Sequence, residues 1–199
     1  MNSRKFMPNG WQGWLAAGLL LPASVCFADK GKAAMIADAQ SAAPPVISGS
    51  ATIKTMDGKV LREGSNGWTC YPGSMGSGPM CNQPQWDELI AAWAAKKAIK
   101  VKTFSISYML AGEGDAPGVS NKDPFATEPS DDNDWVKEGP HLMIVVPDPA
   151  MLEGLSTNPK DPVYVMWKGT PYAHIMVRIA DPSLADKGGL LKGVLPGLK

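Results

Sequence analysis

The sequence QWDELIAAWAAKKA at residues 85–98 is the clearest indication of fold in this 199-residue chain. Its large apolar residues recur at the spacing i, i+3, i+4 and i+7 of a single helix face: Trp86, Leu89, Ile90 and Trp93. Acidic residues open the stretch and lysines close it, which suits the helix dipole. The stretch therefore predicts an amphipathic helix that packs its tryptophan face against the rest of the domain.

Four stretches downstream alternate in the manner of β-strands, at residues 103–110, 141–146, 163–168 and 172–178. Each has an aliphatic face and a second face of His, Met, Tyr or Ser. We expect the aliphatic face to pack under the helix, leaving the Met-rich face half covered or lining a cleft. An Asp57-Gly58 turn predicts a further hairpin upstream. The predicted fold is α+β: an antiparallel sheet of about four to six strands, one main amphipathic helix on one face and one disulfide.

The N-terminus has the pattern of a secretory signal peptide. Arg4 and Lys5 precede an apolar stretch at residues 14–21, and Cys26 and Ala28 stand at −3 and −1 of a cleavage site after residue 28. The stretch is too short to cross a membrane, for which about 20 residues are needed. Cys26 leaves a lipoprotein as the alternative. We expect a signal peptide at 1–28, a single domain at 29–179, a loosely structured tail at 180–199, and a periplasmic or secreted location.

Charge and composition exclude some classes of function. The chain has 19 basic and 19 acidic residues, and removal of residues 1–28 leaves 17 basic and 19 acidic. This balance argues against a nucleic-acid partner, and no later segment is long and apolar enough to span a membrane. With 21 Gly and 18 Pro the chain has many turns, which argues against a long helical bundle.

Two cysteines remain after the expected cleavage, Cys70 and Cys81. An exported chain meets an oxidising compartment, so a disulfide between them is the favoured interpretation. Ten residues separate them, which does not match the C-x-x-C spacing of a redox or metal pair.

Both histidines of the chain lie in a His-x-Met pattern, His141-Leu142-Met143 and His174-Ile175-Met176. In a strand, residues two apart point to the same side, so two neighbouring strands could present two imidazoles and two thioethers together. Imidazole and thioether ligands suit copper in its Cu(I) state. The predicted metal ligands are thus His141, Met143, His174 and Met176, and further ligand candidates on the same face are Tyr164, Met166 and Met109.

Other interpretations of the same residues remain open. The histidines and methionines could simply fill the core. His141 or His174 could instead serve a periplasmic hydrolase, with Ser105, Ser107, Glu138 and Asp148 available by composition, although no hydrolase motif is present. The chain could also be a structural or interaction module without a small ligand. In the acidic loop at 111–140, a solvated surface is favoured over a calcium site, because the EF-hand spacing is lacking.

Three segments carry a family resemblance: LREGSNGWTC at 61–70, HLMIVVPDP at 141–149 and YVMWKGTPYAHIMV at 164–177. They resemble a family of short exported bacterial proteins of uncharacterised activity, over residues 32–177. The resemblance implies export and a single domain, and it assigns no role to any residue.

Overall fold

A computed structural model describes residues 24–74 and 76–180 of the chain. Most of the expected signal peptide and the expected C-terminal tail lie outside the described residues, so both stay predictions. Over the described ranges, no helix is long and apolar enough to cross a membrane.

The described chain contains three α-helices, one 3₁₀ helix and ten strands. The helices are α1 (Ser24–Ser41), α2 (Pro45–Ser48) and α3 (Pro84–Ala94), and the 3₁₀ helix is Pro149–Leu152. The strands are β1 (Thr52–Lys54), β2 (Val60–Arg62), β3 (Thr69–Tyr71), β4 (Met80–Asn82), β5 (Ser105–Met109), β6 (Val119–Ser120), β7 (Trp135–Val136), β8 (His141–Val145), β9 (Val163–Met166) and β10 (His174–Arg178).

Eight strands form one sheet in the order β2-β1-β3-β4-β5-β8-β10-β9. All neighbours are antiparallel except β1 and β3, which run parallel. The α+β class is confirmed, and the predicted count of four to six strands is wrong. The two additional strands are β3 and β4, which have three residues each. So short a strand shows almost no alternation in sequence, and no turn motif indicates these two as Asp57-Gly58 indicates β1 and β2. The predicted loop at 111–140 also contains a small hairpin, β6 with β7.

Helix α3 forms where the sequence predicts it, and its ends have clear causes. Pro84 occupies the first turn, where its missing N–H is not needed. The helix ends at Ala94 rather than near residue 98, because Lys96 adopts a left-handed backbone with φ 52°. The amides of Lys96 and Lys97 then donate to the carbonyls of Trp93 and Ala92, which is a Schellman motif.

The face that α3 covers is the opposite of the predicted one. The buried residues of β5 are Ser105, Ser107 and Met109, whereas Ile106 and Tyr108 are only partly buried. The core under α3 is the Met-rich face, which joins Trp86 and Leu89 to the following sheet residues: Met109, Met143, Val145, Tyr164, Met166 and Met176.

Side-chain size gives the physical reason for this inversion. The small Ser105 leaves room for the Trp86 ring, whose Nε1–H donates to the Ser105 carbonyl at 3.1 Å. Long, flexible methionines fill the remaining space between helix and sheet. The aliphatic face forms a smaller cluster, in which Leu152 of the 3₁₀ helix packs with Val146 and Val165.

The other half of the sheet packs against α1. Ala39 of the helix and Ala42 and Ala43, which follow it, pack in one cluster with Ile53 and Leu61. The predicted disulfide, Cys70–Cys81, is confirmed within this cluster and links directly opposed residues of β3 and β4. The predicted hairpin at Asp57-Gly58 is also confirmed, as β1 with β2.

Candidate functional site

Strand register decides how the predicted metal ligands stand relative to one another. Met143 of β8 lies opposite Met176 of β10, so the two thioether residues are cross-strand neighbours. His174 lies opposite Met166 of β9, whereas His141 lies opposite Arg178. His174 and Arg178 are four residues apart on β10, about 13 Å along a strand. The register thus brings the methionines together and places the histidines at opposite ends of the face.

The His174 imidazole is held in one tautomer and leaves one nitrogen available. Its Nδ1 lies 2.9 Å from the Tyr172 carbonyl oxygen. Because a carbonyl only accepts hydrogen bonds, Nδ1 carries the proton and Nε2 carries the lone pair. The residue is 1% exposed, and Nε2 has no hydrogen-bond partner among the described residues. A buried acceptor without a partner is costly and calls for an explanation.

Burial keeps this imidazole neutral. It lowers the pKa of His174 to about 4, partly offset by the hydrogen bond to Tyr172, and the charge of His141 adds the weakest contribution to the lowering. A ring that is neutral at pH 7 is in the form that binds metal ions.

Two tryptophans enclose His174. The ring centroid of Trp86 lies 5.2 Å from that of His174, and that of Trp167 lies 5.1 Å away, both in edge-to-face geometry. We call the set of His174, Trp86, Trp167, Met166 and Met176 the His174 cage. Both methionines are buried on the same face, Met166 directly across the strand pair and Met176 two residues along β10.

Trp167 occupies an unusual backbone conformation, with φ 55°. For a bulky residue the left-handed region costs about 1–3 kcal/mol and is concentrated at functional sites. The ring is held there by a hydrogen bond from its Nε1–H to the Ser120 carbonyl, at 2.8 Å, and by stacking on Trp93 at 6.1 Å. Sequence patterns do not indicate that Trp167 covers His174, because the position of its ring relative to Trp86 follows from the tertiary fold and not from spacing along the chain.

His141 has different surroundings. Its Nδ1–H donates to the Gly139 carbonyl at 2.7 Å, and burial lowers its pKa. Its neighbour Glu138 is buried and accepts two hydrogen bonds from Arg178, at 2.8 and 2.7 Å. The Tyr164 hydroxyl donates to the same carboxylate at 2.8 Å. This buried ion pair, which sequence patterns did not indicate, gives the His141 side a charged and internally satisfied environment.

The remaining ligand candidates are all in the core. Tyr164, Met166 and Met109 are each at most 3% exposed. The expected cleft on the Met-rich face is therefore wrong, because α3 covers that face.

A hydrolase centre is not assembled around either histidine. Over residues 24–74 and 76–180, neither imidazole hydrogen-bonds to a carboxylate or a hydroxyl. Ser107 donates to the Asn82 side chain, and the Ser105 hydroxyl has no hydrogen-bond partner among the described residues.

The described residues also contain no group of three or more His, Cys, Asp or Glu side chains that could hold a metal ion. Among these residues, His174 therefore does not belong to such a group of nitrogen and oxygen ligands. The potential metal donors near it are the thioether sulfurs of the methionines. Comparison with protein-family models, curated proteins and solved structures gave no match.

Proposed function

We propose that this chain is an exported bacterial protein that binds copper as Cu(I), through His174 and the methionines of the Met-rich face. The observation that carries the proposal is the Nε2 atom of His174, which is buried and has no hydrogen-bond partner in the part of the chain that the structure describes. A metal ion on this atom would supply the missing partner.

The donor chemistry supports Cu(I) over other ions. The soft thioethers of Met166 and Met176, together with a neutral imidazole, form a set that Cu(I) accepts and that Mg²⁺ or Ca²⁺ does not. The hydrogen bond from Nδ1 to the Tyr172 carbonyl orients the ring, as is usual for histidines that bind metals through the other nitrogen. Trp86 and Trp167 exclude water from the site.

Within this proposal the four originally predicted ligands do not act as one set. Met143 stays near the site, as the cross-strand neighbour of Met176. His141 lies at the far end of the face and is a support for the core rather than a ligand. Export is supported by the Cys70–Cys81 disulfide, since disulfides persist in oxidising compartments.

The test is a Cu(I) titration against a competing chelator, without oxygen and with the disulfide intact. We expect one Cu(I) per chain. His174→Ala should lower the Cu(I) affinity at least about 100-fold, because loss of a ligand costs more than the 10- to 100-fold loss seen when a residue that supports a ligand is removed. His141→Ala should bind Cu(I) within about threefold of the parent. Equal losses in both variants, or no saturable binding by the parent, would overturn the proposal.

A second pair of variants separates ligand loss from misfolding. Met166→Leu removes a proposed thioether with little change of volume, and such changes usually cost under about 1.5 kcal/mol. Met109→Leu makes the same change on the same face, at the position opposite His141. Only Met166→Leu is expected to weaken Cu(I) binding. Parent-like binding by a folded Met166→Leu variant would contradict the ligand set. If none of these titrations gives the expected Cu(I) binding, the chain is better regarded as a structural or interaction module.

A further inference from the structure

A groove of about 630 Å³ lies between the C-terminal half of α1, residues 73, 74, 77 and 79 of the following turn, and the loop at residues 113–116. None of these residues belongs to the His174 cage. Three carboxylates line it: Asp38 from α1, and Glu113 and Asp115 from the loop. None of the described residues that line it is basic. Its volume lies within the range of about 300–1,000 Å³ that is typical of sites for small molecules.

Glu113 is an unusual member of this group. Its side chain is 8% exposed, and its Oε2 atom has no hydrogen-bond partner in the described ranges. A carboxylate so deeply buried normally has a partner, since an unpaired buried charge is among the most costly features in a protein.

The position of Glu113 is fixed by tight backbone packing. Its amide donates to the Glu138 carbonyl at 3.0 Å, and its carbonyl accepts from the Ala116 amide at 3.0 Å. The preceding Gly112 lies so close to Gly78 that a Cβ atom at Gly78 would stand 2.1 Å from the Gly112 carbonyl oxygen. The loop cannot shift to give the carboxylate a new protein partner without separating these two segments.

We propose that this groove binds a small organic cation that carries ammonium groups, with Glu113 as its main contact and Asp115 and Asp38 as secondary contacts. An ammonium group would supply Glu113 with both a counter-charge and hydrogen-bond donors. A bare metal ion fits less well, because these carboxylates do not form a group that could hold one. Carboxylates on both α1 and the facing loop favour a ligand with two separated ammonium groups.

The ionisation of Glu113 gives the site a pH signature. Burial, together with the negative charge of Glu138, raises the pKa of Glu113 to about 7, while the amide contact with Glu138 and the charge of Lys137 act in the opposite direction. Asp38 and Asp115 also face the groove. A cation binds the ionised form of Glu113, so affinity falls as the carboxyl becomes protonated below pH 7.

The experiment is a calorimetric titration of the chain with 1,4-diaminobutane at pH 8 and at pH 6, with 1,4-butanediol as the uncharged control. We expect saturable one-to-one binding of the diamine, an affinity about tenfold lower at pH 6, and no binding of the diol. For a group with a pKa near 7, the ionised fraction falls about tenfold between these pH values.

The variants identify the residues responsible. Glu113→Gln resembles the protonated carboxyl in shape, and we expect it to fold, to bind at least about tenfold more weakly at pH 8 and to lose the pH dependence. Asp115→Asn should weaken binding by a smaller factor. Glu153→Gln makes the same change of charge at an exposed position outside the groove and should bind like the parent. The proposal is wrong if the parent shows no saturable diamine binding at pH 8, if the diol binds equally well, or if Glu113→Gln behaves like Glu153→Gln.

Discussion

The two histidines have nearly the same sequence context and local geometry, yet they occupy different environments. Each begins a His-x-Met segment, each is 1% exposed, and each donates from Nδ1 to the carbonyl of the residue two positions before it. His141 lies beside a buried ion pair. His174 lies between two tryptophan rings and faces a methionine across the strand pair.

The comparison shows that a three-residue motif determines to which face its side chains point, but not what surrounds them. The His-x-Met spacing places both side chains of each segment on one face, as strand geometry requires. What surrounds each ring depends on the neighbouring strand and on the element above it. Among the described residues, a fully buried imidazole nitrogen without a hydrogen-bond partner occurs at His174.

The largest effect is expected when the ion pair on the His141 side is broken. Glu138→Ala leaves Arg178 and the Tyr164 hydroxyl without their shared acceptor. Removal of one member of a buried pair costs about 3–5 kcal/mol, to be measured by urea denaturation. Glu153→Ala is the control, because its pair with Lys168 is exposed and such pairs contribute about 0–1 kcal/mol. Similar losses in the two variants would show that the Glu138 pair is not effectively buried.

The next effect is the loss of stability in acid, and it distinguishes the histidines. The pKa of His174 is about 4 in the folded chain, against 6.5 as the usual value. The unfolded chain therefore takes up this proton at a higher pH than the folded chain. The neutral His174 contributes about 3 kcal/mol to the free energy of unfolding above pH 6.5, and this contribution is lost as pH falls to 4. For His141 the hydrogen bond to Gly139 and the charge of Glu138 oppose the lowering of the pKa by burial, and the charge of Arg178 adds to that lowering. The lowering at His174 is not opposed by a carboxylate, so we expect the contribution of His141 to be smaller.

The measurement is urea denaturation at pH 7 and pH 4 for the parent, His174→Gln and His141→Gln. We expect His174→Gln to reduce the acid loss more than His141→Gln does. Glu113 acts with the opposite sign: its raised pKa stabilises the folded chain below pH 4.5, and that contribution is lost as pH rises through 7. Because this contribution is common to all three proteins, it cancels in the differences between them. An unchanged acid loss in His174→Gln would contradict the assigned cause.

Features set by local patterns could be predicted from the sequence. The helix around Trp86, the hairpin at Asp57-Gly58 and the Cys70–Cys81 disulfide depend on spacing within about fifteen residues, and all three are present. The predicted strand stretches at 163–168 and 172–178 are also present, as β9 and β10, which pair with His174 opposite Met166.

Features set by the packing of distant elements could not be predicted. Both faces of β5 carry apolar residues, so alternation alone does not tell which face α3 covers. That choice depends on the fit between Trp86 and the small Ser105, which are 19 residues apart. The separation of the two histidines likewise follows from the register of β8 and β10, and the cover over His174 follows from the left-handed backbone of Trp167.

The smallest effect tests whether the His174 cage is closed. Trp86→Phe keeps an aromatic ring over His174 but removes the donor to the Ser105 carbonyl, which is buried. We expect a loss of about 1–2 kcal/mol, because a buried acceptor left without its partner costs more than an exposed one. Trp135→Phe is the matched control: its Nε1–H donates to the Pro117 carbonyl at 2.9 Å, in an exposed hydrogen bond that water can replace, and its loss should stay below about 0.5 kcal/mol. Equal losses in urea denaturation would mean that water reaches the Trp86 site as readily as Trp135. The buried Nε2 of His174 could then bind water, and the argument that it needs a metal ion would lose its main support.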